Sequence, residues 1–342
     1  MRQVIYSVLR PLSQEELQFL SVSILNFFSP SNNTENRGLL SLPIEKGTLR
    51  PLSIGNLFTF LKNHNTQNKS IDPYQYEKSI YSLIKKFENA GYLSDAGTSL
   101  KGGSPPMHLC YYSHIELTSL QENNLFWLGE VLGSSFLKNL VSKYTIRIEG
   151  KYLSNKRCGT GSGVLIAPDL ILTCKHNITD LEEHSCWLGN QNLPIKKHVV
   201  HPKYDIGFII LSEKLTYDTY PYLGEAYILD QTLTLGYPPN TGLREATIIS
   251  QNGEINAIGN HTTDNCECIL ISSITRPGNS GGPVFSLKGH IAGIVVNEGG
   301  SSDASTSKTI HHPFYMAISS NFIKKISKEI FPEYDLNFEN YL

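Results

Sequence analysis

Residues 276–283 read Arg-Pro-Gly-Asn-Ser-Gly-Gly-Pro, and this stretch decides how the rest of the chain is interpreted. Glycine on both sides of Ser280 lets the backbone turn sharply and leaves its N–H groups uncovered. The N–H groups of Gly278 and Ser280 could then point at one spot beside the Ser280 hydroxyl, where they would stabilise an oxyanion. The pattern favours a serine nucleophile. The alternative is a glycine-rich hairpin with an incidental serine.

A serine nucleophile needs a base to take its proton, and His176 is the best placed histidine. It follows the apolar run Leu-Ile-Leu-Thr over residues 170–173, so it lies at a strand end where a loop can expose its ring. A lone histidine is more often structural. Here, however, the glycine-rich stretch 159–163 lies upstream and can pair with the histidine-bearing strand.

The base is usually held in one tautomer by a carboxylate. Asp205 directly precedes the apolar run 206–211, so it lies at the mouth of a buried strand, where a carboxylate must be paired or hydrogen-bonded. The alternative role for Asp205 is a turn residue that begins the strand. The aspartates that lack this context are Asp180, Asp218, Asp230 and Asp264.

The three motifs occur in the order His, Asp, Ser, and in this order they resemble the chymotrypsin/trypsin-fold serine peptidases, because other serine hydrolase folds use other orders. The branch that the chain resembles most is that of the bacterial HtrA-type peptidases. The segments that carry this resemblance are 161–166, 171–176, 205–209, 235–238, 273–283, 293–295 and 316–319. The resemblance covers residues 140–330.

This resemblance implies a mainly β C-terminal domain, built as a double six-stranded antiparallel β-barrel with the active site in the cleft between the barrels. It implies that His176 acts as general base and then as general acid, and that Asp205 orients it. The backbone of Gly278 and Ser280 would form the oxyanion hole. Neither a cofactor nor a metal is expected, and the expected substrate is a protein or peptide.

The resemblance also indicates a pocket for the side chain before the scissile bond. The residues expected to line it are Ile274, Val296, Asn297, Glu298, Phe314 and Met316. An apolar base without an acid argues against a trypsin-like pocket, so the predicted preference is for a small or medium apolar side chain. Glu298 either selects a basic side chain at the rim or is simply solvated.

Two departures from the family pattern concern regulation. Asn279 stands before the nucleophile, where trypsin-type zymogens carry an acid that captures a new N-terminal ammonium, so that activation route is not expected. Few residues follow the last predicted helix, so the C-terminal peptide-binding domain of HtrA-type enzymes is expected to be missing. Sensing would then fall to the residues that precede the barrels.

Residues 1–138 carry helical periodicity and are predicted to form a mainly α domain, with 139–342 as the peptidase domain. Helices are predicted over 12–28, over 52–63 and from 72 or 73 to 91, and Ser13 with Glu16 forms a capping box at the first. A hairpin over 92–112 follows, and then a fourth helix over 119–141. Three helices followed by a hairpin resemble a winged-helix domain.

Charge does not favour nucleic acid as the partner of this N-terminal domain. The whole chain has 29 Lys and Arg against 31 Asp and Glu. On the third predicted helix, the basic residues Lys78, Lys85 and Lys86 are accompanied by Glu77 and Glu88. A regulatory or protein-interaction module is therefore the first interpretation, and nucleic-acid recognition is kept as the alternative.

The cysteines bear on the compartment of the protein. Six cysteines occur at spacings that match no zinc site, so free thiols in a reducing cytosol are expected. A disulfide between Cys158 and Cys186, or another pair, stays open. The N-terminal apolar run is broken by Arg10, so neither a signal peptide nor a membrane span is expected. The prediction is a cytoplasmic protein without a membrane partner.

Three functional hypotheses remain. The first is a cytosolic serine endopeptidase gated by its N-terminal domain or by a partner. The second is a protease-fold binding protein whose triad never assembles. The third is a winged-helix nucleic-acid regulator that carries the peptidase as an effector. An extra domain on a cytosolic peptidase suggests a conditional effector, for instance in bacterial stress or anti-phage defence.

Overall fold

The computed structural model describes residues 10–45, 47–63, 72–99, 106–239, 242–243, 245–296, 314–332 and 336–339. The chain divides into two compact units, Met1–Leu125 and Phe126–Leu342. The sequence placed the boundary later, between residues 138 and 139. The difference arises because residues 126–138 pack on the second unit: a Cβ on Gly129 would lie 2.6 Å from the Leu287 carbonyl oxygen.

In its described part, the first unit combines helices with a small antiparallel sheet of strand order β1-β3-β2. Its elements are α1 (Gln14–Phe28), α2 (Asn33–Leu39), β1 (Leu52–Ser53), α3 (Ile54–Asn63), α4 (Glu77–Asn89), β2 (Leu93–Thr98), β3 (Leu109–Ser113) and α5 (Ser119–Glu122). The apolar faces of α1, α3 and α4 are buried, and they include Leu20, Ile24, Phe28, Leu57, Phe58, Leu61, Ile80, Leu83, Ile84 and Phe87.

The predicted capping box is confirmed at the start of α1. The Ser13 hydroxyl accepts from the Glu16 N–H at 3.2 Å, and the Glu16 carboxylate accepts from the Ser13 N–H at 2.8 Å. Helix α2 was not predicted, because its seven residues Asn-Thr-Glu-Asn-Arg-Gly-Leu carry no apolar stripe. Winged-helix character stays a prediction.

The predicted fourth helix over 119–141 is wrong as a continuous helix. After α5 the chain forms a 3₁₀ turn at Phe126–Leu128, then α6 (Gly129–Leu132) and α7 (Ser134–Val141). Gly133 separates α6 from α7 with a φ of +88°, a left-handed conformation that ends a helix and that glycine adopts without steric cost. Apolar residues lie on both sides of this break, which is why the periodicity looked continuous.

The second unit contains two mainly antiparallel β-structures. The first is a seven-stranded sheet of order β8-β7-β4-β5-β6-β10-β9. Its elements are β4 (Thr145–Tyr152), β5 (Cys158–Ala167), β6 (Leu170–Thr173), α8 (His176–Thr179), β7 (Leu181–Leu188), β8 (Gln191–Leu193), β9 (Ile195–Val200) and β10 (Gly207–Leu211).

The second structure is a closed barrel of six strands. Pairing runs through β15-β12-β13-β14-β17-β16 and returns from β16 to β15, while β11 and β18 extend from β16. Its elements are β11 (Leu223–Gly224), β12 (Gln231–Gly236), β13 (Ile249–Asn260), β14 (Glu267–Ile271), β15 (Pro283–Ser286), β16 (Ile291–Val296), β17 (Tyr315–Ser319), α9 (Ser320–Ile330) and β18 (Phe338–Glu339). A core cluster of this unit comprises Ala226, Ile255, Ile269, Ile271, Val284, Ala292, Val295 and Ala317.

The expected double six-stranded barrel is therefore correct for the second structure and wrong for the first. Among the described residues, the seven-stranded sheet does not close on itself, since β8 and β9 form its two edges. Only Pro194 separates these two strands, and proline has no N–H to donate to a ladder. The ladder of β7 and β8 is interrupted there, and β9 pairs with β10 instead.

One strand pairing positions the functional residues. Strands β6 and β10 are buried throughout and run antiparallel, with Thr173 opposite Gly207. The end of β6 therefore lies beside the start of β10. His176 follows the first and Asp205 precedes the second, so the fold brings them to the same edge of the sheet. No helix in the described part of the chain is long and apolar enough to span a membrane.

Candidate active site

His176 and Asp205 form a direct hydrogen-bonded pair. The His176 Nδ1 lies 2.8 Å from one carboxylate oxygen of Asp205, and the His176 backbone N–H donates to the other oxygen at 3.0 Å. A carboxylate that holds both the ring and the backbone of a histidine fixes the ring orientation. With Nδ1 donating to Asp205, Nε2 is left free to accept a proton.

The electrostatics of this pair suit a base. Burial would lower the pKa of His176, but the hydrogen bond and the charge of Asp205 outweigh it and hold the pKa above its usual value. Burial likewise pushes the pKa of Asp205 upward, and the hydrogen bonds and charge of His176 bring that pKa below its usual value. Asp205 therefore stays ionised over the range in which His176 titrates.

The loop that carries Ser280 begins with a tight turn. The Asn279 N–H donates to the Arg276 carbonyl oxygen at 2.9 Å, which closes a four-residue turn around Pro277 and Gly278. Gly278 has a φ of +97°, and proline followed by a positive-φ glycine meets the requirement of a type II turn. A Cβ at Gly278 would also lie 2.7 Å from the Pro238 Cα. This turn fixes the direction of the Gly278 N–H.

Two backbone N–H groups of the loop are unpaired. Within the described residues, neither the Gly278 N–H nor the Ser280 N–H has a hydrogen-bond acceptor. The N–H of Gly281, by contrast, donates to the Val295 carbonyl oxygen at 2.7 Å. Two unpaired donors on either side of Asn279 are what an oxyanion site needs.

Asn177 joins the histidine-bearing helix α8 to the loop that carries Ser280. Its buried amide nitrogen donates to the Ser280 carbonyl oxygen at 2.8 Å, and it also lies 3.0 Å from the Thr173 hydroxyl and 3.3 Å from the Ser162 carbonyl oxygen. The Ser162 N–H reaches the same Ser280 carbonyl at 2.9 Å. The backbone of Ser280 is thus held by the residue that follows His176 and by strand β5.

Cys174 lies close to the His176–Asp205 pair. Its thiol is fully buried and donates to the Val295 carbonyl oxygen at 3.2 Å. The Cys174 sulfur, a His176 ring nitrogen and an Asp205 carboxylate oxygen all lie within 4.8 Å of one another. Burial raises the pKa of Cys174 well above its usual value, so the thiol stays protonated. Because metals bind the thiolate, this set fits hydrogen bonding better than metal ligation.

A single cleft of about 370 Å³ contains the reactive groups. His176, Gly278 and Ser280 line it together. The rest of the wall consists of Tyr152, Thr160, Asn177, Leu181 and Pro277. A hydroxyl, an imidazole and unpaired N–H groups in one partly apolar cleft can take a proton and stabilise a developing negative charge.

The structure places the expected pocket residues unevenly. Val296 is buried at the end of β16 and Met316 is half-buried in β17, opposite it in the strand register. Ile274 and Phe314 are exposed. Asn297 and Glu298 lie outside the described residues. The lining of this pocket therefore stays a prediction.

Sequence reasoning missed three contributors to the site, Asn177, Cys174 and Ser162. Asn177 and Cys174 flank His176 closely, so proximity was the available signal. Their partners, however, lie 103 and 121 positions away in the chain, at Ser280 and Val295. Contacts of this span depend on how the two β-structures of the second unit pack, which local patterns do not encode.

Comparison with known proteins agrees with this geometry. Residues 161–294 match the family described as a trypsin-like peptidase domain. This segment of the chain is thus similar to a trypsin-like peptidase domain, and it includes His176, Asp205 and Ser280. This is the class that the motif order predicted.

The relatives are themselves described as peptidases. A probable periplasmic serine endoprotease, DegP-like, from Chlamydia pneumoniae is 29% identical over 146 residues, which are 41% of this chain and 29% of that protein. Its counterpart in Chlamydia trachomatis serovar D is 29% identical over 140 residues, covering 39% of this chain and 27% of the relative. The chain spans less than a third of the length of these relatives.

Solved structures resemble the chain more distantly. The active form of the Rv3671c protease from M. tuberculosis matches with a TM-score of 0.46 at 16% identity, over 56% of this chain and 83% of that one. The inactive form of the same protease matches with a TM-score of 0.44 at 15% identity, over 57% and 92% of the two chains.

Substitution of Asn177 tests the bridge between α8 and the nucleophile loop. In Asn177→Ala, buried acceptors lose their donor, and we expect the free energy of unfolding to fall by about 2 kcal/mol. Urea denaturation of the full-length protein measures the change. Asn192→Ala, at an exposed position in β8, is the control and should stay within about 0.5 kcal/mol of wild type. Equal losses in both variants would contradict the bridging role.

Proposed function

We propose that this protein is a serine endopeptidase that hydrolyses peptide bonds in protein substrates through an acyl-enzyme intermediate. Ser280 is the nucleophile, His176 the general base and then acid, and Asp205 the residue that orients His176. The observation that carries the proposal is one cleft in which the Asp205-bonded imidazole of His176 lies with Ser280 and its unpaired N–H groups.

The first half of the reaction forms the acyl-enzyme. His176 Nε2 takes the Ser280 hydroxyl proton while the oxygen attacks the scissile carbonyl carbon. The N–H groups of Gly278 and Ser280 stabilise the resulting oxyanion. The C–N bond then breaks as His176 returns the proton to the leaving amine, and the acyl group remains as an ester on Ser280.

The second half hydrolyses that ester. A water molecule gives a proton to His176 and attacks the ester carbonyl, and the same N–H groups stabilise the new oxyanion. Collapse of this intermediate releases the acid and returns the proton to Ser280. In both halves Asp205 stabilises the imidazolium that forms transiently on His176, without itself being protonated.

The proposed substrate preference rests on two observations. Leu181 and Tyr152 give the cleft beside His176 an apolar wall. The separately predicted side-chain pocket, which does not belong to that lining, includes the apolar residues Ile274, Val296 and Met316. No acidic side chain belongs to the described lining of the cleft. We therefore propose a small or medium apolar side chain before the scissile bond.

The compartment that we propose is the cytoplasm. All six cysteines are free, so the pairing of Cys158 with Cys186 that the sequence left open is not formed. Free thiols suit a reducing compartment. The DegP-like relatives are named as periplasmic proteins, and that location is a statement about those relatives.

The N-terminal unit is the proposed regulatory part. Its order of helix, strand, two helices and hairpin, with sheet order β1-β3-β2, supports the winged-helix resemblance, although α2 is an addition. On α4, Lys85 pairs with Glu88 at 2.6 Å, so this cation is partly neutralised. We infer that this unit binds a protein partner or trigger, with nucleic acid as the alternative ligand. The biological role that we propose is that of a conditional effector, for instance in bacterial defence.

Activity-based labelling tests the nucleophile. A fluorophosphonate should label the full-length protein at Ser280, and Ser280→Ala should remove both labelling and proteolysis, because the attacking oxygen is gone. Intact-protein mass spectrometry and a casein assay give the two readouts. Ser272→Ala, an exposed serine in the same region, is the control and should be labelled like wild type. Labelling that persists without Ser280 would refute the assignment.

The pH profile tests the His176–Asp205 pair. His176 must be neutral to accept a proton, so kcat/KM should fall as the pH drops through the raised pKa of His176, above the usual value for histidine. In Asp205→Asn this acid limb should move to lower pH, since burial then dominates, and kcat should fall about 10³–10⁴-fold. Asp180→Asn removes a weaker charge contribution to the same pKa, so it should move the acid limb less than Asp205→Asn does. An unmoved acid limb in Asp205→Asn would contradict the pairing.

Truncation tests the gating. If the N-terminal unit restrains the peptidase, residues 126–342 alone should be labelled by the fluorophosphonate about tenfold faster than the full chain, a coupling of typical size. The labelling rates of the two proteins are measured from samples quenched at successive times. Ser280→Ala in each protein gives the background labelling. Equal rates would rule out gating by this unit under the conditions used.

A further inference from the structure

His201 is a buried histidine at the start of the loop that presents Asp205. Its side chain is almost fully enclosed, and its Nδ1 accepts two backbone N–H groups, from Lys203 at 3.1 Å and from Tyr204 at 3.0 Å. Asparagine and aspartate side chains stabilise turns in the same way, by accepting the backbone N–H groups of residues that follow them closely in the chain. The imidazole of His201 therefore acts as the internal cap of this loop.

The same loop is closed by its own backbone. The His201 N–H donates to the Ile206 carbonyl oxygen at 2.9 Å, and the Ile206 N–H donates to the Tyr204 carbonyl oxygen at 2.8 Å. Lys175, the neighbour of His176, reaches the Pro202 carbonyl oxygen at 2.7 Å. Asp205 thus sits in a loop whose conformation is fixed from inside by His201 and from the α8 side by Lys175.

Helix α9 supports the opposite side of the loop. The His201 Nε2 lies 3.5 Å from a carboxylate oxygen of Glu329. The His201 ring packs on Tyr204 with centroids 4.7 Å apart, and Tyr204 meets Phe322 edge-on at 4.7 Å. Both Phe322 and Glu329 belong to α9.

These contacts require one tautomer of His201. Because Nδ1 accepts two N–H groups, its lone pair must be free, and the ring proton is on Nε2, facing Glu329. A second proton on Nδ1 would face two donors and break the cap. The neutral ring is therefore the form that holds the loop.

We propose that His201 is a positioning residue for catalysis: its neutral imidazole, supported by α9, holds loop 201–206 so that Asp205 meets His176. The inference rests on the proposed peptidase function for its kinetic consequence. Its structural content, the dependence of the His176–Asp205 hydrogen bond on His201, stands independently of activity.

Three variants of the full-length protein separate positioning from general packing. His201→Ala removes the cap, and we expect kcat to fall about 10- to 100-fold with KM nearly unchanged, as for a small displacement of a catalytic group. His201→Asn keeps an acceptor that can bond the N–H groups two and three residues on, so kcat should stay within about threefold of wild type. His198→Ala, an exposed histidine three residues earlier in β9, is the matched control and should behave as wild type.

A spectroscopic signature keeps the inference distinct from the proposed function. The hydrogen-bonded Nδ1 proton of His176 should give a strongly downfield NMR resonance in wild type and His201→Asn, and the resonance should be lost in His201→Ala even if no variant hydrolyses peptide. Retention of the resonance in His201→Ala, or its equal loss in His201→Asn, would overturn the inference. A wild type that shows the resonance but resists fluorophosphonate would instead refute the proposed function.

Discussion

The antiparallel pairing of β6 with β10 is the constraint on which the site depends. Thr173 and Gly207 are paired in the strand register, so the end of β6 lies beside the start of β10. His176 and Asp205 lie just beyond these ends, so their 2.8 Å hydrogen bond follows from a ladder of backbone hydrogen bonds. Because both strands are buried along their whole length, a shift of register would expose apolar side chains. The core thereby fixes the distance between His176 and Asp205.

Ser280, the proposed nucleophile, reaches the same cleft by a different route. Ser280 lies just before β15 of the closed barrel, while His176 begins helix α8, which follows β6 of the open sheet. Backbone groups, not side-chain charges, connect the two: the Ser280 carbonyl oxygen accepts from Asn177 and from the N–H of Ser162. These bonds fix the backbone of Ser280, whose own N–H has no acceptor among the described residues. The cost of burying a polar loop is offset because most of its carbonyl oxygens, those of Arg276, Gly278, Asn279, Ser280 and Gly282, have a donor.

An electrostatic balance governs the half-buried His176–Asp205 pair and suits the proposed role of His176 as a base. Burial disfavours the charged forms of both His176 and Asp205, whereas their mutual contact favours them. The contact wins for both residues. The uncharged Cys174 thiol nearby makes a further, smaller contribution that lowers the pKa of Asp205.

Much of the fold and of the candidate site could be predicted from short-range patterns in the sequence. The positive-φ turn at Pro277-Gly278, the apolar runs around His176 and Asp205, and the Ser13 capping box are short-range patterns, and each appears where it was expected. The break at Gly133 and the helix α2 were not recognised, since apolar residues continue across the first and are absent from the second. The opening of the seven-stranded sheet depends on Pro194 and on which strands meet, so periodicity could not show it.

By itself, then, the sequence determined which residues are chemically able to act and in what order they follow one another. Gly278-Asn279-Ser280 carries the turn geometry in its own residue types, because only glycine adopts a φ of +97° without steric cost. The tertiary structure alone decided that Asn177 bridges to Ser280, that Cys174 stands beside Asp205 and that His201 caps the Asp205 loop. The Asn177 and Cys174 contacts join residues more than a hundred positions apart, and the orientation of the His201 ring depends on the packing of α9. Such contacts exist only once the core has set the distances between strands.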